Sequence, residues 1–206
     1  MTENSDPSAN AGSENSTSDT AKATRPRNSE ASKKAILWAA QAALAQKSYD
    51  EVGLREIAQE AKIDPALIIR YFGSKEGLFR EVIKTHIHID SLAGIELAQY
   101  PEVLTRLILG NETEIDQRSM LILHRSAPSE VAGPIIRETL RERLVVPMVA
   151  RLNSPDAETR VELVLAVLGG LSTGRHVACY SSLVNGDREQ LIQLMVPVFQ
   201  SLLFGR

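Results

Sequence analysis

Residues 53–72 read GLREIAQEAKIDPALIIRYF. Ile57, Ala58 and Ala61 recur at helical spacing and predict a helix over 54–61. Asp64-Pro65 opens a second helix, because Asp is a good N-cap and Pro is tolerated at the first helical position. That helix ends near Phe72, and Gly73 is the break. A helix, a tight turn and a short helix in so few residues follow the helix-turn-helix plan. Pro65–Phe72 is about 12 Å long at ~1.5 Å per residue. The major groove of DNA is about 12 Å wide and admits one helix. Ala58 is small where the two helices must approach, and Ile57, Ile63, Ile68 and Phe72 can hold the pair together.

The flanks extend the helical pattern. Upstream, Ile36, Leu37, Ala40 and Leu44 share one face of a helix starting near residue 31, and Tyr49-Asp50-Glu51 breaks it. Downstream, Ser74 caps a fourth helix, with Glu76 in its first turn and Leu78, Phe79, Val82, Ile83 and His86 along one face. Further helical stretches are expected near 101–110, 114–126, 129–152, 157–182 and 187–203, with Pro197 expected to kink the last or shift its boundary. No period-2 alternation or internal repeat occurs, so the fold class is all-α. Residues 1–28 hold almost no large apolar side chain and are expected to be a disordered tail. Lys22, Arg25, Arg27, Lys33 and Lys34 are either a solvated run or a basic arm toward DNA.

Charge must be read by segment. The chain carries 23 Lys and Arg against 26 Asp and Glu, a net of −3 that argues weakly against nucleic acid. Residues 31–86 hold 9 basic and 7 acidic groups, a net of +2, and theirs is the one segment with a positive balance. The single cysteine, Cys179, excludes a disulfide within one chain and fits a reducing compartment. The N-terminus does not read as a secretory signal, and the longest apolar run, Leu163–Leu171, is far short of the ~20 residues of a membrane span. A cytoplasmic protein is expected, associated with the nucleoid when bound to DNA.

Residues 34–83 resemble the DNA-binding half of the TetR (tetracycline repressor) family. The marks are Ile36, Leu37, Ala39 and Ala40; Tyr49; Ile57, Ala58 and Ala61; and Ile63–Phe79, where Tyr71-Phe72-Gly73-Ser74-Lys75-Glu76 with Leu78 is most diagnostic. The resemblance implies an N-terminal three-helix DNA-binding domain over 29–89 and a helical ligand-binding and dimerisation domain over 90–206. It implies DNA contacts at Gly53, Leu54, Arg55, Ala66, Leu67, Ile69, Arg70, Tyr71 and Lys75. Arg55, Tyr71 and Lys75 would touch phosphates, which position the protein and make binding salt-dependent. Ala66, Leu67 and Arg70 would face base edges, and Arg reads guanine bidentately. The plainer alternatives are a solvated Arg70 and a Tyr71 that only packs. Three positions depart from the family: Gly53 replaces a capping Thr or Ser, Ile69 an aromatic or His, and Lys62 a turn Gly. Ile69 cannot bond a phosphate but could meet a thymine methyl.

The same resemblance implies a homodimer through 157–182 and 187–203, a palindromic double-stranded operator, and repression relieved by a small-molecule effector. Gly169, Gly170, Ser172, Thr173 and Gly174 would permit close helix approach or would break the helix. Met120, His124, Met148 and His176 are candidate ligand-lining residues, with plain core as the alternative. No cofactor, metal site or membrane partner is expected. Gly170–Gly174 spells G-x-S-x-G, but the preceding segment has helical period and no His follows His176, so a hydrolase elbow is not expected. His86 and His88, two apart, would point to different helix faces, whereas His176 and Cys179 could meet. The rival to DNA binding is a helical protein-interaction module.

Overall fold

The computed structural model describes residues 24–86, 94–109 and 117–205, and the side chains of 24–28, 86 and 117 lie outside that description. The tail over 1–23, the junction near residue 89 and His88 also lie outside it, as do the side chains of Lys22, Arg25 and Arg27. The described residues form eleven α-helices and no strand. The head comprises α1 (Thr24–Gln46), α2 (Leu54–Glu60), α3 (Pro65–Phe72) and α4 (Lys75–His86). Helix α1 begins seven residues ahead of the predicted start at residue 31, so 24–28 belong to it and not to a tail. Proline in a first turn needs no intrahelical donor, so Pro26 is compatible with this start.

Local chemistry sets each boundary in the head. The Asp64 side chain accepts from the Ala66 amide at 2.7 Å, with Pro65 at the first helical position. Gly73 ends α3 at φ +78, a conformation that side chains disfavour. Ser74 Oγ accepts from the Gly77 amide at 3.1 Å and starts α4. A Cβ on Gly77 would lie 2.0 Å from the Phe72 carbonyl oxygen, so only glycine lets α4 leave so closely behind α3. One core unites Ile36, Ala39, Ala40, Leu44, Tyr49, Ile57, Ile68, Phe79 and Val82.

That core does not stop at the expected domain boundary. It continues into Ile122 of α6 (Gln117–Ser126) and Ala132, Ile135 and Ile136 of α7 (Ala132–Leu140). Polar ties reinforce the junction: Arg125 donates to the Gln46 carbonyl, Ser129 Oγ donates to Asp50 at 2.9 Å, and Arg80 pairs with Glu138 at 2.7 Å.

The body comprises α5 (Tyr100–Leu109), α8 (Val146–Leu152), α9 (Ala157–His176), α10 (Ser181–Asn185) and α11 (Arg188–Phe204). Tyr100, Leu104, Met148, Val161, Val164 and Phe199 form its core. Helices α7 and α8 are joined by a five-residue π-helical segment, Arg141–Val145. Pro147 has no amide to donate to residue 143, so the helix widens just before it. Pro197 does not shift the boundary of α11, which runs on to Phe204; it and Gln193, whose carbonyl it leaves free, are both exposed. Helix α9 stops at His176, six residues short of the predicted end, because the Val177 and Ala178 amides both turn back to the Thr173 carbonyl at 2.9 Å. No described helix is long and apolar enough to cross a membrane.

Candidate nucleic-acid interface

Helix α3 buries one face and presents the other. Ile68 is fully buried, whereas its neighbour Ile69 is 47% exposed. Ala66 and Arg70 are exposed, and Leu67 and Tyr71 are half-buried. Ile57 and Ala58 of α2 are buried beneath α3, as the small-residue argument requires. Gly53 precedes α2 in extended conformation, with no side-chain cap. Leu54 is half-buried against the head core and Arg55 is exposed.

Electrostatics favour this face. Neither Arg55 nor Arg70 makes an ion pair among the described residues. Two acids of this unit are engaged elsewhere: Glu56 pairs with Lys47 at 2.6 Å, and Asp64 caps α3. Lys62, in the turn between α2 and α3, is exposed and held at φ +54. A glycine there would carry no such strain.

Two contacts lay outside the reach of sequence reading. Lys33 of α1 places its ammonium 5.9 Å from the centre of the Tyr71 ring. Tyr71 is thus both packed on the core and adjacent to a cation. Lys75 places its ammonium 4.2 Å from the centre of the Tyr49 ring. Tyr49 itself is buried and meets Phe79 edge to face at 4.9 Å. Burial, then the neighbouring Glu76 carboxylate, pushes the Tyr49 hydroxyl up to about 12. Hydrogen bonds, first from the Ser74 hydroxyl, hold Glu76 below its usual range.

Comparison with known proteins now identifies the family. The family model for bacterial regulatory proteins of the tetR family matches residues 36–82, and that for the tetracyclin repressor-like C-terminal domain matches residues 98–203. The chain belongs to the TetR family. It is similar to the solved structure of GusR from Salmonella enterica, with 20% identity and a TM-score of 0.56 over 80% of this chain and 95% of that one. It is also similar to a TetR-family regulator from Streptomyces coelicolor A3, with 24% identity and a TM-score of 0.47 over 84% of this chain and 95% of that one. No curated protein matches. This TetR-family protein is a DNA-binding transcriptional regulator, and its fold is that of a regulator and not of an enzyme. The G-x-S-x-G sequence lies within helix α9, and no strand occurs among the described residues.

The four ligand candidates sit in different settings. Met148 is a core residue, Met120 is half-buried on α6, and His176 is half-buried at the end of α9. His124 Nε2 lies 2.9 Å from Thr173 Oγ1. Thr173 spends its hydroxyl proton on the Gly169 carbonyl at 2.7 Å, so His124 must donate through Nε2–H. A cleft of about 820 Å³ at the other end of the body is lined by Leu97, Leu152, Asp156, Arg160, Leu203 and Phe204 and includes none of the four. No cluster of three metal-ligating side chains occurs among the described residues.

Proposed function

We propose that this regulator is a homodimeric, ligand-responsive repressor that reads a palindromic operator with α3. The observation that carries this reading is the outward face of α3, where Arg70 and Ile69 stand free of the core. Arg70 would read a guanine and Ile69 would meet a thymine methyl, with Ala66 and Leu67 close to base edges. Arg55, Tyr71 and Lys75 would hold phosphates, with Gly53 and Leu54 bringing the start of α2 to the backbone.

Dimerisation through α9 and α11 is supported by apolar side chains left in water. Leu163 is 48% and Leu194 63% exposed, and Val198 is also exposed. A Cβ on Gly169 or Gly170 would meet nothing within 4 Å, so a second chain has room to approach there. Two copies would present two α3 helices about one DNA turn apart. An effector would act by binding the DNA-competent and incompetent states with different affinity. Residues 29–89 would form the DNA-binding domain and 90–206 the regulatory domain, with the His124–Thr173 contact part of the effector-sensing region. The site of action would be the cytoplasm, at the nucleoid when DNA is bound.

Selection from random duplexes with the purified protein tests the reading. A palindromic site should be enriched, and Arg70→Ala with Tyr71→Ala should lose it. Failure to enrich any sequence at low salt would favour a protein-interaction module instead.

A further inference from the structure

We propose that Tyr49 is a positioning residue for DNA-backbone binding: its ring holds the Lys75 ammonium at the start of α4, where it meets a phosphate. The inference rests on the DNA-binding reading above and deepens it.

A lysine is a poor phosphate contact when it is left to itself. Its four-carbon stem has many rotamers, and ordering it opposes binding. Here the ammonium sits 4.2 Å from the centre of the Tyr49 ring. An aromatic face attracts a cation through its quadrupole, and the attraction strengthens where water is partly excluded. The ring occupies one side of the ammonium and leaves N–H donors on the other. A phosphate oxygen is the acceptor that a duplex would supply there.

The ring is fixed in turn. It is buried, and Phe79 packs on it edge to face. Burial, together with the neighbouring Glu76 carboxylate, keeps its hydroxyl protonated. Tyr49 comes from the loop after α1, and Lys75 lies 26 positions later in the chain. The contact thus ties the loop before α2 to the first turn of α4 and aligns both flanks of the reader.

The test uses full-length protein and a short labelled duplex of arbitrary sequence, titrated by fluorescence anisotropy over a salt series. Lys75→Ala should lower the slope of log affinity against log salt by about one per bound protomer. Tyr49→Phe serves as the reference, since it keeps the ring and loses the hydroxyl. Pentafluorophenylalanine at position 49 keeps the shape of Phe and reverses the ring's charge distribution. It should bind about fivefold more weakly than Tyr49→Phe, both measured at a temperature where thermal melts show them fully folded. In the Lys75→Ala background that difference should vanish. Equal binding by the two aromatic variants overturns the proposal while leaving the DNA-binding reading intact. A wild-type chain that fails to bind the duplex at low salt overturns both.

Discussion

The head and the body solve opposite surface problems. In the head, one core gathers Ile57, Ile68 and Phe79 inward, while Arg55, Arg70 and Lys62 stand outside on and around the α2–α3 unit. In the body, several arginines are held in ion pairs. Arg106 pairs with Glu102 and Glu189 at 3.0 Å, Arg160 pairs with Asp156 at 2.7 Å, and Arg141 pairs with Glu158. The body also leaves carbon in water: Leu163 on α9, and Leu194 and Val198 on α11. A surface of unpaired cations suits a polyanion, and a surface of exposed leucine and valine suits another apolar face. Under the proposed reading, the first surface meets DNA and the second joins two chains.

The adjacent isoleucines of α3 test that separation most forcefully. Ile68→Ala removes a fully buried side chain and should destabilise the protein by about 2–5 kcal/mol, read by denaturant unfolding. Ile69→Ala should leave stability within about 0.5 kcal/mol. It should relax operator preference at a thymine, read by competition binding. If both variants unfold alike, the outward face of α3 has been misassigned.

Alkaline pH sharpens the comparison next. The Tyr49 hydroxyl is pushed from 10.0 to about 12 by burial and by Glu76. The folded state therefore binds this proton more tightly than the unfolded state. The resulting stabilisation is present in full below about pH 10 and is lost as pH rises toward about 12. Melts at several pH values should show this loss, and Tyr49→Phe should remove that part of the slope. An unchanged slope in Tyr49→Phe would place the alkaline sensitivity elsewhere.

Helix α3 was legible in the sequence because its signals are local. Asp64, Pro65 and Gly73 each act on the backbone beside them, so the helix bounds follow from residue chemistry. The outward position of Ile69 and Arg70 came instead from the family resemblance. Contacts that join distant segments were not legible: Lys75 over Tyr49 and Lys33 over Tyr71 arise only once α1, its loop and α4 have packed. The core's continuation into α6 and α7 was hidden likewise, since Ile122 and Ile135 read equally well as body residues. The end of α9 was overrun because Val177 and Ala178 continue an apolar pattern. Only the backbone, with Cys179 at φ +51, shows the chain leaving the helix.

Two smaller effects probe the turn and the seam. Lys62→Gly should stabilise the head by about 1 kcal/mol, because it relieves a left-handed residue between α2 and α3. Weaker operator binding in that more stable variant would mark Lys62 as a phosphate contact. At the seam, Arg80→Ala breaks a partly exposed pair with Glu138 and should cost at most about 1 kcal/mol. A larger loss in thermal melts would mean that head and body depend on polar ties more than on their shared core.

The most direct measurement of the central claim is guanine-N7 methylation interference on the selected operator, comparing wild type with Arg70→Ala. If α3 lies in the major groove with Arg70 on a guanine, methylation at one guanine in each half-site blocks the wild type and leaves Arg70→Ala indifferent at that position. Interference that is identical in the two proteins, or absent from both, contradicts the account.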